Sequence, residues 1–454
     1  MKDNRNNLTE GNIYRTLILF AIPFIMANFI QALYGAIDMA VVGWFSNAAG
    51  ISAVSIGTQI MQIVNSLISG LAIGGTILIG QYWGGRKEKD TVETISTMLT
   101  LFCIFAVIFT LIMFLVATPI LRVLKTPSEA FLSAKQYVLI CSCGIVFIFG
   151  YNSLSSMLRG LGDSKSPLIF ISIACITNIV LDLIFVGVFK LGASGAALAT
   201  IIAQGVSMGS AIIYLTRREF IFKFKLSNFK IYKNKAYQIF KLGLPVSLQE
   251  TLLNVSFLFI AAIVNNLGVI TSAAVGIAGK FEAFAMLPAS AFSGAISSIA
   301  AQNIGANKPE RAKKSLNISV GLAFICSLVF FTWAQIFPTS IMTIFKADKE
   351  VALAGAQYLK SFSFDFMLVA FGFSINGFLN GCGCTTFAMI NGIAASMLIR
   401  VPLAYVLSKV IPESLIGIGA AAPIATFISV IISIVYIKRG SWKSQCIVEE
   451  QLVV

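Results

Sequence analysis

Residues 104–116 read IFAVIFTLIMFLV, with no charge, proline or glycine among them. The run sits inside a longer uncharged stretch, 94–118, enough for a helix to cross a hydrocarbon layer about 30 Å thick, which takes roughly 20 residues. A lipid-spanning β-strand would alternate apolar and polar positions, and this run does not. Lipid leaves every unpaired backbone group unsatisfied, so helix is the remaining choice. Working outward, similar stretches lie at 16–42, 51–80, 131–157, 166–188, 193–215, 238–264, 272–301, 315–337, 353–378, 387–409 and 417–437. Composition agrees. The chain is 57% hydrophobic and 11% charged with mean hydropathy +0.88, where a soluble domain carries roughly 25% charge. The expected fold class is an all-α membrane protein with twelve transmembrane helices.

A net charge of +14 could suggest nucleic acid, but its distribution indicates a bilayer. Lysines and arginines cluster at alternate ends of the spans: Lys2, Arg5 and Arg15; Arg86, Lys87 and Lys89; Arg159 and Lys165; the segment Arg217–Lys241; Lys308, Arg311, Lys313 and Lys314; and Lys438, Arg439 and Lys443. Under the positive-inside rule these ends are cytoplasmic, as are both termini. No nucleic-acid partner is expected. The N-terminus is polar through Asn12, and the first apolar run is too long for a cleavable signal core. With no histidine, and with most of the eight cysteines inside apolar spans, no metal centre or disulfide framework is expected.

The chain repeats itself. Gln81-Tyr82-Trp83-Gly84-Gly85-Arg86-Lys87 matches Gln302-Asn303-Ile304-Gly305-Ala306-Asn307-Lys308, and Arg159-Gly160-Leu161-Gly162 matches Asn380-Gly381-Cys382-Gly383, both 221 residues on. Pro23 and Pro245 correspond at nearly the same spacing. Six spans per repeat make the two copies parallel, the plan of transporters that hold substrate between halves. The expected domains are a six-helix bundle at 1–216, a basic cytoplasmic linker at 217–237, and a pseudo-symmetric second bundle at 238–454.

Ionisable groups in mid-span cost about 2.5–3.5 kcal/mol or more, which makes each a functional candidate. Five carboxylates qualify: Asp38, Asp182, Glu250, Glu282 and Asp365. Counting from the span ends at 1.5 Å per residue, Asp38, Asp182 and Thr200 all lie about 9 Å below the outer edge. Tyr34 is one turn from Asp38, and Asn178 one turn from Asp182. The repeat equivalents of the two aspartates are Ile260 and Leu403, so the set is not architectural symmetry. Two carboxylates together at low dielectric cannot both ionise cheaply unless a cation neutralises them. Such a site takes a proton or a small hard cation such as Na⁺.

At these residues the chain resembles the multidrug and toxic compound extrusion (MATE) family. The resemblance spans nearly the whole chain and includes the loops GQYWGGRK and AQNIGANKPERA. It implies that Asp38, Asn178, Asp182, Thr200 and Tyr34 form a coupling site for H⁺ or Na⁺ with no other cofactor. It also implies that Pro23 is the helix-1 proline whose bend the family links to protonation. The second half departs from NorM-like members, for Val255 stands near their helix-7 Glu and Asn380 near their helix-10 Asp. Lys280 and Glu282 resemble a basic-x-Glu element of DinF-like members. Glu250, Asp365, Lys280, Glu282 and Asn380 are therefore candidates for contacting substrate, with Lys280 as a partner for Glu282 or Glu250. Phe147, Phe149, Phe362 and Phe371 are candidate cavity aromatics. The resemblance implies a monomeric antiporter of a bacterial inner membrane, exporting cationic or amphipathic compounds. A flippase for lipid-linked substrates shares the architecture. An enzyme is disfavoured by the missing histidine and the lack of any nucleophile–base pair.

Overall fold

The computed structural model describes residues 7–217, 220–345, 347–411 and 414–444. Its helices are α1 (Ile13–Phe45), α2 (Ala48–Gly84), α3 (Glu88–Val123), α4 (Ser128–Cys143), α5 (Ile145–Gly160), α6 (Lys165–Asp182), α7 (Gly192–Thr216), α8 (Lys233–Asn265), α9 (Val269–Gly305), α10 (Pro309–Ile336), α11 (Pro338–Ile344), α12 (Lys349–Phe362), α13 (Phe364–Gly381), α14 (Thr385–Ile393), α15 (Val401–Val410) and α16 (Ile416–Arg439). Among the described residues, ten helical runs are long and apolar enough to cross a membrane. Two bent pairs, α4–α5 at 47° and α12–α13 at 44°, bring the number to twelve. Wider π-helical turns at Leu183–Val188 and Ala394–Arg400 continue α6 and join α14 to α15.

The opening stretch shows the packing rule. Ile104, Val107, Ile108, Leu111 and Leu115 form an exposed stripe at helical spacing, with Leu115 78% exposed, while Phe102, Ala106, Met113 and Ala117 turn inward. An apolar stripe that long belongs against lipid. Inside the bundles small residues bring backbones together. A Cβ at Gly74 would lie 2.6 Å from the Gly243 nitrogen, and one at Gly377 only 2.2 Å from the Ser293 carbonyl oxygen.

The repeat is visible in the backbone itself. Arg86 and Asn307 adopt φ of 57° and 56°, and Gly162 and Gly383 φ of 89° and 90°. Lys87 and Lys308 each donate a backbone N–H five residues back, to Tyr82 and Asn303. The motif residues are thus turn residues first, closing the α2–α3 and α9–α10 connections in one left-handed geometry.

The chain divides into two compact units. The first holds Met26–Gly243 and the second Asn7–Ile25 with the chain from Leu244 onward. The expected boundaries at 216 and 238 differ from this. Residues 7–25, expected in the first bundle, pack with the second, and the expected linker packs on the first unit. There Ser96 Oγ donates to the Asn228 and Lys230 carbonyls and accepts from the Lys230 N–H, and Thr97 Oγ1 accepts from the Tyr232 N–H. In the second unit Arg311 holds the Glu10 and Gly11 carbonyls at 2.7 and 2.8 Å, and Lys308 that of Thr9 at 3.1 Å. In the second unit basic residues of the repeat loop therefore tie down the chain that enters it, whereas in the first unit the hydroxyls of Ser96 and Thr97 do so.

Candidate functional site

Asp38 and Tyr34 come from α1, Asn178 and Asp182 from α6, and Thr200 from α7, all in the first unit. Asp182 is the last residue of α6, where the backbone opens into the π-helical turn 183–188. Such widenings often mark functional positions. Asn178 and Asp182 are fully buried and Asp38 is 7% exposed. The carboxyl groups of Asp38 and Asp182 face one another, and the Tyr34 hydroxyl faces Thr200. Both Asp182 oxygens, both Asn178 amide atoms, Asp38 Oδ1, Tyr34 Oη, Thr200 Oγ1 and Gln204 Oε1 are buried without a hydrogen-bond partner among the described residues. Buried polar atoms are nearly always satisfied, so a convergent group of orphans requires an explanation. Oxygens gathered this way fit a proton shared between carboxyls, or a small hard cation held by carboxylate, amide and hydroxyl oxygens. The structure thus brings together all five residues singled out for the first half. Gln204, one turn from Thr200, was not singled out, although its position in a span marked it.

Beside this group lies a cavity of about 290 Å³ lined by α1, α2, α4, α5, α6 and α7. Asp38, Tyr34 and Thr200 reach it, together with Gln31, Gln62, Asn65, Asn152 and Gln204. Asn178 and Asp182 are not in its lining. Arg159, counted from sequence with the cytoplasmic loops, instead lines the cavity from the last turn of α5. None of the four candidate phenylalanines lines it. Phe149 and Phe362 are core residues at 1% and 0% exposure, and Phe371 packs edge-on against Phe324.

The second unit gathers different residues. Glu282 on α9 and Asp365 on α13 are buried at 7% and 3% exposure and influence one another electrostatically. Arg400, at the end of the π-helical turn 394–400, acts on both; Tyr358 faces Glu282 and Thr426 faces Asp365. Arg400 also sits over the Phe257 ring at 4.4 Å. The expectation that Lys280 partners Glu282 is corrected here. Two residues apart on a helix means about 200° of rotation, so Lys280 points outward and is exposed, and Arg400 supplies the charge. A cation in the middle of the apolar stretch 387–409 is legible from the sequence, as costly in lipid as the buried acids. Tyr358 lies 221 residues after Tyr137, so the repeat could have found it. Asn380 donates to Asn376 Oδ1 at 2.9 Å within its own helix, and the side chain of Glu250 is exposed. Pro23 lies inside α1, three residues before the chain passes from the second unit to the first.

Two repeated bundles of membrane-spanning helices, with buried carboxylates on discontinuous segments, define the architecture of a secondary transporter. The MatE family pattern matches residues 23–184 and again 245–406, one match for each repeat. The chain therefore belongs to the MATE family of multidrug efflux transporters; it is a transporter and not an enzyme. The probable multidrug resistance protein YpnP of Bacillus subtilis (strain 168) is 28% identical over 445 residues, 98% of this chain and 99% of that protein. The multidrug export protein MepA of Staphylococcus haemolyticus is 25% identical over 88% of each chain. An outward-facing multidrug resistance MATE transporter superposes with TM-score 0.91 at 20% identity, over 98% of this chain and 99% of that one. A MOP-superfamily transporter from Pyrococcus furiosus, described as having a binding pocket of reversed polarity, also gives 0.91 at 20% identity. At that identity the structures speak for the fold alone.

Proposed function

We propose that this protein is an antiporter that exports cationic or amphipathic small molecules in exchange for H⁺ or Na⁺ taken up at Asp38 and Asp182. The observation that carries this reading is the set of unpartnered buried oxygens on Asp38, Asp182, Asn178 and Thr200 beside a polar cavity. Asn178, Thr200 and Tyr34 supply neutral oxygens that complete the site around the pair. The coupling ion and substrate then compete through Asp38, which belongs both to the pair and to the cavity wall. The exposed carboxylate Glu250 is the second-half group we assign to attracting cationic substrates. In the second unit Arg400 offsets part of the charge of Glu282 and Asp365. The protein works as a monomer in the bacterial inner membrane with both termini in the cytoplasm; the last residues, 445–454, lie outside the described chain.

The test is efflux of a monocationic dye from proteoliposomes, driven separately by a pH gradient and a Na⁺ gradient. Wild type responds to at least one gradient. Asp38→Asn and Asp182→Asn, reconstituted at equal density, lose the response while keeping the wild-type fold. Gradient-driven efflux at the wild-type rate in either variant would show that the pair does not couple.

A further inference from the structure

Away from the ion site, the second unit has a notch where the foot of α1 meets α10. It is a cavity of about 380 Å³, with Asn12, Ile13 and Tyr14 on one side and Lys314, Asn317 and Ile318 on the other. Both helices begin here, Tyr14 in the first turn of α1 and Lys314 in the second turn of α10. The neighbouring cations are engaged: Lys308 and Arg311 hold backbone carbonyls, and Lys443 pairs with Glu310 at 2.8 Å. Lys314 is exposed and forms no hydrogen bond or ion pair among the described residues. The carboxylate that feels its charge, Glu310, is the one already paired with Lys443.

Polarity falls away from this notch along both helices. On α10, Lys314 is followed at helical spacing by Asn317, Gly321 and Ile325, which share one face. A Cβ at Gly321 would meet nothing within 4 Å, and Ile325 is 62% exposed. On α1, Tyr14 is followed one and two turns later by Ile18 and Ile22, 37% and 50% exposed. A cation, two amides and a phenol thus stand at the water end, with open apolar surface beneath them. A phospholipid presents the same order, an anionic phosphate above acyl chains.

We propose that this notch binds an anionic phospholipid of the leaflet at the basic ends of the spans. Its phosphate is held by Lys314, with Asn12, Asn317 and the Tyr14 hydroxyl as neutral donors, and an acyl chain runs over Gly321. Basic pockets between spans at this level take acidic headgroups, and tyrosine is enriched where rings meet headgroups. A phosphodiester with an uncharged headgroup carries one negative charge, which one lysine matches. Phosphatidylcholine brings its own cation up to Lys314 and is disfavoured. A lipid seated here bridges the first turns of α1 and α10.

Native mass spectrometry of the full-length protein in neutral detergent, titrated with dioleoylphosphatidylglycerol or dioleoylphosphatidylcholine, reads the affinity for the first lipid bound. Wild type is expected to prefer phosphatidylglycerol. Lys314→Gln should weaken that lipid about fivefold, the effect of one lysine at a membrane surface, and leave phosphatidylcholine unchanged. Lys165→Gln, at an exposed lysine of another basic end, should change neither. Gly321→Phe, which fills the open apolar space, should weaken both lipids alike. Equal affinity of wild type for the two lipids, or equal effects of Lys314→Gln and Lys165→Gln, overturns the site. No loss in Gly321→Phe, or displacement of the lipid by free glycerol 3-phosphate at the lipid's own concentration, overturns a phospholipid as its occupant. Melting temperatures confirm the fold of each variant, and should Gly321→Phe not fold, the two lysine variants and the glycerol phosphate competition decide. Each of these results leaves the coupling role of Asp38 and Asp182 to its own efflux test.

Discussion

Lys235 Nζ lies 2.5 Å from Asp90 Oδ1 and 3.9 Å above the ring of Tyr82, and only 3% of the lysine side chain is exposed. Tyr82 in turn donates its hydroxyl to Gln238 Oε1 at 2.9 Å. One turn of α8 is thus fastened to the α2–α3 connection of the first unit, through a residue of the repeated loop motif. A charge-assisted bond in so buried a position is worth about 1.5–3 kcal/mol. Lys235→Ala should lower the melting temperature and speed tryptic cleavage at Lys223, Lys225 and Lys230, because it releases the segment those bonds hold. An unchanged cleavage rate would show that Ser96 and Thr97 hold the segment without help.

The carboxylates Asp38 and Asp182 face each other in one buried site, so their substitutions should not add. A pair acting as a unit is disabled by loss of either member. The double variant Asp38→Asn/Asp182→Asn should transport no more slowly than the worse single variant, within about twofold. Independent, multiplicative losses in the proteoliposome assay would mean two separate sites.

Arg400 faces two buried carboxylates, and its removal leaves them uncompensated. Arg400→Gln should cost about 2 kcal/mol of stability, and adding Asp365→Asn should restore part of it. Lys280→Gln, on the exposed side of α9, should change stability by less than about 0.5 kcal/mol. Denaturation of the four proteins in detergent checks all three statements. A larger effect at Lys280 than at Arg400 would reverse the assignment of the compensating charge.

Glycines of equal helical context should respond in opposite ways. Gly377 approaches the Ser293 carbonyl so closely that a methyl group would sit 2.2 Å from its oxygen, whereas a methyl at Gly209 meets nothing within 4 Å. Gly377→Ala should destabilise by about 1–3 kcal/mol through overpacking against backbone. Gly209→Ala should be neutral or stabilising by up to about 1 kcal/mol, since alanine is the better helix former. Thermal melting of the two variants separates the cases, and equal shifts would contradict the packing.

The one-dimensional features of this protein were determined by the sequence alone. An apolar run such as 104–116 permits only helix in lipid, because no water is present to satisfy a free backbone group. The repeat, readable at Gln81 and Gln302, follows because the same turn, with Arg86 and Asn307 in one left-handed conformation, demands similar residues twice. The grouping of Asp38, Asn178, Asp182 and Thr200 was also legible, since depth along a span is a count of residues at fixed rise. Direction around the helix axis, and the choice of neighbour across a bundle, were decided only by the tertiary structure. Residue counting puts Lys280 beside Glu282, yet rotation turns it outward and packing brings Arg400 from a span more than a hundred residues away. The same holds for Arg159, whose place at a span end read as a cytoplasmic charge. A long side chain at a helix terminus can point out to water or back along its own helix, and only the cavity lined by its neighbours settled which.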